Sequence, residues 1–323
     1  MKAAVYRAYG SPDLVRLEDV PTPVPGDDEV LVRVHAASLN ALDSHYMSGF
    51  WLTRPFKGFR KPKPTTPGVD LAGLVDAVGR NVTRFKPGDA VFGVARGSCA
   101  EYACAAPDRL APKPAGLSFE QAAAVPLAGF TALQGLRDKA KLQPGQKVLI
   151  NGASGGVGTF AVQIARALGA EVTAVCSTRH VELARSLGAH HVVDYSREDF
   201  TRRADRYDLV FDIAGSRPLS ACRRVMTPKG IFLPVGVRPG GLVLGPIPHL
   251  LRLLLSKPFV SQRVIFWVAR SNPEDLAALA QLIETSQVVP VVDRVYPLSE
   301  AGAALRYFKE GHPQGKVIVR TPA

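Results

Sequence analysis

The spacing of hydrophobic positions changes twice along the chain. Up to about residue 117, apolar residues come in short runs broken by Pro and Gly. Residues 29–36 alternate in places with a period of two, after turn chemistry at 23–28. Residues 68–78 read as a strand, and 85–92 as a turn entering one. Many short strands with this punctuation predict a barrel-like β lobe.

Beyond Leu117 the period lengthens. Ser118, followed by Glu120 and Gln121, can cap a helix, and 121–136 is apolar at helical spacing. Strands and helices then alternate. Strands are predicted at 147–151, 171–176, 191–195, 207–213, 230–236 and 260–269. Helices are predicted at 156–168, stopped by Gly169, at 180–187, stopped by Gly188, and at 219–226. Residues 273–285 form an amphipathic helix with Asn272 as N-cap. This βαβα rhythm predicts a parallel, doubly wound sheet. The tail changes again, with strands at 288–298 and 316–320 around a helix at 299–309.

Composition adds little to the fold and something to the chemistry. The 323 residues are 46% hydrophobic and 21% charged, ample for a packed core. The net charge is +12, and residues 118–289 hold +7 of it. A basic surface favours anionic ligands such as phosphorylated cofactors. No nucleic-acid motif is visible, so nucleic acid is not an expected partner. Cys99, Cys104, Cys176 and Cys222 fit neither a zinc knuckle nor a disulfide framework and read as free thiols. The N-terminus starts as a strand with no apolar signal core. The most apolar stretch, 242–255, contains Pro246, Pro248, His249 and Arg252 and falls short of the about 20 apolar residues of a span. A cytoplasmic protein with no membrane span is expected.

One short segment carries specific chemistry. Ala153, Ser154, Gly155, Gly156, Val157 and Gly158 follow an apolar strand and open a helix. This is the context of a dinucleotide-binding glycine turn, although Ala153 replaces the first glycine. Gly155 would let the backbone approach a pyrophosphate, and Gly158 would let the helix pack closely. The helix N-terminus would present free N–H groups to the phosphates. The alternative is a tight turn without a ligand. About 20 residues on, an NAD site offers an acid to the ribose. Here Ser177, Thr178 and Arg179 follow Cys176, with no acid among them. Two hydroxyls and a guanidinium suit a 2′-phosphate, so NADP(H) is expected, unless Arg179 is only a solvated surface residue.

Residues 151–165 resemble the medium-chain dehydrogenase/reductase superfamily, and more narrowly its zinc-independent quinone oxidoreductase branch with the reticulon-interacting relatives. The resemblance extends to 1–3, 67–73, 87–91 and 315–319. It implies a GroES-like, β-rich catalytic domain from residues 1–117 with 290–323, and a Rossmann NADP(H)-binding domain from 118–289, the active-site cleft lying between them. Zinc alcohol dehydrogenases of the superfamily carry a cysteine ligand where this chain has Asn40 and a histidine ligand where it has Val69. Without those ligands, Lewis-acid activation of an alcohol is not available, and a quinone or conjugated carbonyl becomes the expected hydride acceptor.

The same resemblance places Asn40 beside nicotinamide and substrate, with Asp43 and Tyr46 orienting substrate or supplying a donor. Asn40 reads equally as a turn residue and Tyr46 as a packed aromatic. Thr131 would border the nicotinamide, or be a helix hydroxyl bonded to its own backbone. Tyr195 would flank the adenosine phosphate, Gly236 and Val237 would pass the carboxamide, and Lys316 matches the family's tail lysine. The Leu-rich segment 240–259 could wall a pocket, form an oligomer contact or pack as core. The expected function is NADPH-dependent reduction of a small hydrophobic quinone or enone, with a homodimer as the assembly the resemblance implies. The alternatives are a cofactor-sensing or RNA-binding relative without turnover, and an alcohol dehydrogenase.

Overall fold

The computed structural model describes residues 1–49, 62, 65–235, 261–311 and 313–322. The chain divides into two compact units. One comprises Met1–Phe130, Arg270–Ser286 and Pro290–Ala323, the other Thr131–Ala269 and Gln287–Val289.

The chain begins in the first unit. β1 (Lys2–Val5) pairs antiparallel with β2 (Arg16–Asp19). β3 (Val30–Ser38) then meets β4 (Asp70–Val78), β6 (Tyr102–Ala105) and a strand of the tail, and is covered so fully that Arg33 is its one exposed residue. That explains why its sequence is almost continuously apolar and alternates only in places. β5 (Ala90–Val94) and β7 (Leu110–Pro112) extend the antiparallel sheet beyond β4. Val30, Val32, Val34, Leu71, Val75, Val91 and Leu110 fill the core. α1 (Ala41–Met47) follows β3 directly.

The helix expected at 121–136 is broken. α2 (Phe119–Ala123) has the expected capping box: Gln121 N donates to Ser118 Oγ at 3.2 Å, and Ser118 N to Gln121 Oε1 at 3.0 Å. Pro126 has no N–H to continue that helix, and it starts a new one, α3 (Pro126–Leu133). A wider π-type turn, Gln134–Lys139, follows.

Among the described residues the second unit holds a six-stranded, wholly parallel sheet. Its strands are β8 (Lys147–Asn151), β9 (Glu171–Cys176), β10 (His191–Asp194), β11 (Tyr207–Asp212), β12 (Met226–Pro234) and β13 (Arg263–Val264), in the spatial order β10-β9-β8-β11-β12-β13. α4 (Gly156–Ala167), α5 (Val181–Ser186) and α6 (Leu219–Cys222) lie between them in sequence. Two expectations shorten. The helix expected at 219–226 tightens to a 3-10 turn at Arg223–Val225, because Met226 already opens β12. The strand expected at 260–269 pairs only through Arg263 and Val264; beyond them the chain lays Trp267 against Gly135.

The tail returns to the first unit. α7 (Pro273–Glu284) is capped by Asn272, whose Oδ1 accepts from Asp275 N at 2.7 Å. Its apolar face buries Leu276, Leu279 and Ile283, with Leu279 against Gly129. β14 (Val292–Pro297), α8 (Ala301–Glu310) and β15 (Lys316–Arg320) complete the fold, β15 lying parallel to β14 and antiparallel to β3. The expected division at 117/118 and 289/290 follows sequence character. Grouping by packing instead keeps α2, which lies on β3 and β4, and α7, which touches β7, with the first unit.

Candidate functional site

Three strand ends of the first unit converge on a buried polar cluster. Ser38 and Asn40 follow from β3, Asp70 starts β4 and Lys316 starts β15. Asp70 is fully buried, and its two oxygens receive four donors. Oδ1 accepts from Leu127 N at 3.0 Å. Oδ2 accepts from Ser38 Oγ at 2.9 Å, Asn40 Nδ2 at 3.0 Å and Lys316 Nζ at 3.3 Å. The Lys316 ammonium, 2% exposed, also donates to Asn40 Oδ1 at 2.6 Å and Leu39 O at 3.1 Å. Its three hydrogens are thus matched by three acceptors. Burial holds its pKa below the usual lysine value, against the pull of Asp70.

The same cluster fixes Asn40. One amide hydrogen goes to Asp70 and the other to Ser38 O at 3.3 Å, while the amide oxygen takes the Lys316 proton. Asp43 ties the start of α1 to the loop before β4. Its Oδ2 accepts from Asn40 N and its Oδ1 from Gly68 N, both at 2.8 Å. Burial pushes the Asp43 carboxyl up to about 6, although these two N–H groups favour the charge. Gly68 is required here: its φ is +95°, and a Cβ would stand 2.4 Å from Ser98 Oγ. Asp43 and half-buried Tyr46 also face a groove of about 880 Å³ within the first unit, lined further by Tyr6, Gly68, Val69 and Val94. Burial and the nearby Asp43 raise the Tyr6 hydroxyl to about 12.

In the second unit, the turn 152–158 leaves the carboxyl end of β8. There the strand order reverses, with β9 on one side and β11 on the other, the place where open α/β sheets bind ligands. Asn151 Nδ2 donates to Asp212 Oδ1 at 2.7 Å and so joins the ends of β8 and β11. The turn's glycines are there for different reasons. A Cβ on Gly158 would lie 2.1 Å from Gly152 O, so the fold itself demands glycine. Gly155 has an ordinary φ of −79°, and a Cβ there would meet nothing closer than 3.7 Å. Nothing in the protein needs a glycine at 155, whereas a pyrophosphate approaching the backbone does. No side chain caps α4, which leaves its first N–H groups for a ligand. Ala153 is buried, and Ser154, Gly156 and Val157 are half-buried. These residues fit a dinucleotide.

The rim beyond β9 differs from expectation in one respect. Thr178 and Arg179 are exposed and Ser177 is half-buried, with Ser177 Oγ 3.3 Å from His180 Nδ1. The acid absent from 176–179 arrives from the next strand: Asp194 Oδ2 accepts from Thr178 Oγ1 at 2.5 Å. Sequence spacing hides this contact, because only the register of β9 with β10 places Asp194 level with Cys176. Tyr195 is exposed beside it, and Thr131 is buried on α3. Gly236, Val237 and the segment 240–259 lie outside the described residues.

The positions that bear zinc ligands in the alcohol dehydrogenases do not fit a metal. An amide at 40 and a hydrocarbon at 69 are not zinc donors, and Lys316 already sets a cation against Asn40 and Asp70. Among the described residues no helix is long and apolar enough to cross a membrane.

Comparison with known proteins agrees with this architecture. The alcohol dehydrogenase GroES-like domain family matches residues 26–134, and the family described as zinc-binding dehydrogenase matches 187–319. The NADPH-dependent alkenal/one oxidoreductase of Arabidopsis thaliana is 35% identical across 99% of this chain and 79% of its own length. The quinone oxidoreductase of Sus scrofa is 34% identical across 92% of this chain and 90% of its own. The quinone oxidoreductase structure from Coxiella burnetii superposes with a TM-score of 0.87 at 31% identity, covering 100% of this chain and 99% of that one. With a GroES-like β unit, a doubly wound parallel unit and relatives at least 34% identical over most of both chains, the chain belongs to the quinone oxidoreductase branch of the medium-chain dehydrogenase/reductase superfamily.

Proposed function

We propose that this protein is an NADPH-dependent oxidoreductase that reduces quinones or α,β-unsaturated carbonyls without zinc. One observation carries the reading: a glycine at 155 that the fold does not require, at the uncapped start of a helix on the switch point of a parallel sheet. The functional division is 118–289 for the cofactor and 1–117 with 290–323 for the substrate. When bound, NADPH supplies the hydride. The N–H groups of the turn hold its pyrophosphate, Ser177 and Arg179 meet the 2′-phosphate, and Thr178 stands on the same rim with its hydrogen given to Asp194. Tyr195 flanks the adenosine, while Thr131, Gly236 and Val237 border the nicotinamide.

Asn40 and Asp43 shape the site rather than donate to substrate, since both amide hydrogens of Asn40 are engaged and Asp43 accepts two backbone N–H groups. Lys316 works through Asn40 and Asp70, having no hydrogen left for a cofactor. Tyr46, on the groove, is the group we assign to protonate the substrate oxygen. Loss of the metal ligands supports a substrate already electrophilic enough to accept hydride.

The test is oxidation of NADPH, followed by absorbance, with a panel of alkenals, vinyl ketones and quinones. Turnover by zinc-free protein is the expected result. Tight NADPH binding with no turnover on any acceptor would sink the reading, as would stoichiometric zinc in the purified protein. A homodimer in the cytoplasm is the expected state, and light scattering with cell fractionation checks it; the Arabidopsis relative is chloroplastic by name.

One sequence feature, a basic and aromatic stretch that matches no nucleic-acid motif, favours a second reading. Positions 50–64 hold five basic residues, four aromatics and no acid. Salt-dependent RNA binding that competes with NADPH would support nucleic-acid binding instead.

A further inference from the structure

The carboxylate that meets Thr178 has consequences for which dinucleotide the protein accepts. Cys176 ends β9 and pairs in register with Asp194 at the end of β10. The Asp194 side chain therefore faces the residues that follow Cys176, on the side of the sheet where a bound dinucleotide lies. Three contacts hold it in place. Thr178 Oγ1 donates to Oδ2 at 2.5 Å, Ser196 N donates to Oδ1 at 2.9 Å, and Arg197 Nε stands 3.4 Å from Oδ2. The side chain is 12% exposed. The bond from Thr178, with that from Ser196, keeps its pKa below the usual carboxylate value, so it is charged at neutral pH.

A hydroxyl has one hydrogen to give. Thr178 gives its hydrogen to Asp194 and so presents lone pairs to the nucleotide. A 2′-phosphate also offers only acceptors and negative charge. It gains nothing from Thr178 in this state, is repelled by Asp194, and depends on the arginines and Ser177 for its donors. A ribose 2′-hydroxyl is different, because it can donate to Thr178 Oγ1 or to Asp194 and accept as well. Glu182 and Arg185, which share a depression of about 390 Å³ with Thr178, Asp194 and Arg197, pair with each other at 2.7 Å and add no net charge.

We propose that Asp194 is the residue that sets discrimination between the two nicotinamide cofactors: it weakens selection for the 2′-phosphate and admits NADH as a second working cofactor. The proposal rests on the dinucleotide reading above, and it specifies the selectivity of that same site.

Calorimetric titration of the protein with NADP⁺ and NAD⁺ tests it. Wild type, Asp194→Asn, Asp194→Ser and Thr178→Val are compared. Asparagine keeps an acceptor for Ser196 N and a partner for Thr178 while removing the charge; serine keeps the acceptor in a smaller side chain, should the first variant fold poorly. Wild type is expected to bind both nucleotides. The ratio of NADP⁺ to NAD⁺ affinity should rise about tenfold in Asp194→Asn and Asp194→Ser, mainly through tighter NADP⁺. Thr178→Val should leave the ratio at or below that of wild type. A residue that only supports the loop would weaken both nucleotides equally, and an unchanged ratio in the Asp194 variants overturns the assignment. Binding of NADP⁺ with no measurable NAD⁺ affinity in wild type overturns it too. Wild type that binds neither nucleotide overturns the cofactor reading itself.

Discussion

Two groups of polar residues sit at strand ends in this molecule, one in each unit, and they differ in how deeply the protein buries them. Around Asp70 in the first unit, every strong donor and acceptor named above has a partner within the unit, and the side chains are buried. Around Gly155 in the second, the helix start is uncapped and the neighbouring rim at 178–179 is exposed. The first arrangement is a structural commitment that shapes what sits near it; the second is an invitation to a ligand. Substitutions in the first group should therefore register in stability, and those in the second in affinity.

The largest effect is expected from Lys316→Met. It leaves Asp70 buried with its cation removed and should lower the unfolding free energy by about 3–5 kcal/mol in denaturant titration. NADP⁺ affinity, measured where the variant is folded, should stay within about twofold of wild type, and a large loss there would erase the distinction between the groups.

Gly158 and Gly155 test the distinction inside one turn. Gly158→Ala drives a Cβ onto Gly152 O and should cost about 3 kcal/mol, the upper part of the overpacking range. Gly155→Ala makes only an ordinary van der Waals contact with Gly152 O and should leave the melting temperature unchanged, while NADP⁺ binding weakens about tenfold or more. Equal behaviour of the two variants would break the argument that a ligand, and not the fold, calls for glycine at 155.

Asp43 gives a pH signature. Its folded pKa of about 6 lies above the unfolded value, so the folded protein binds the proton more tightly. This carboxyl's contribution to stability is present below about pH 4 and lost as pH rises to about 6, amounting to about 2–3 kcal/mol. Wild-type stability relative to Asp43→Asn should fall over that window and be flat above it. A side-chain carboxyl resonance titrating near 4 would remove the effect. Smallest is Arg179→Ala, expected to weaken NADP⁺ by about tenfold and NAD⁺ hardly at all.

Much of the parallel unit was readable from sequence because its signals are local. Lys147–Asn151, Glu171–Cys176 and Tyr207–Asp212 are short apolar strands in a βαβ rhythm, and Gly169 and Gly188 end helices by taking φ of +78° and +95°. Pro126 was the missed local signal: a proline inside an apolar, helix-like run marks a boundary, yet the periodicity continues across it. At 260–269 the apolar pattern fitted a strand, but Trp267 packs against Gly135. The site was legible only as a set of residues. Lys316 meets Asn40 across 276 positions, and Thr178 meets Asp194 across 16, through register that no spacing rule encodes. The absence of an acid from 176–179 was true of the sequence, but not of the space around those residues.

β15 also bears on how the protein is made. It lies between β14 and β3, and it brings the ammonium that Asp70 and Asn40 require. On a ribosome, the parallel unit has all its residues once Val289 has emerged. The other unit, although it starts first, must hold β3 and β4 with an acid at their ends and no cation beside it until residue 316 leaves the exit tunnel. Synthesis thus reverses the order of the sequence: the nucleotide-binding unit can fold first, and the N-terminal half waits for the tail.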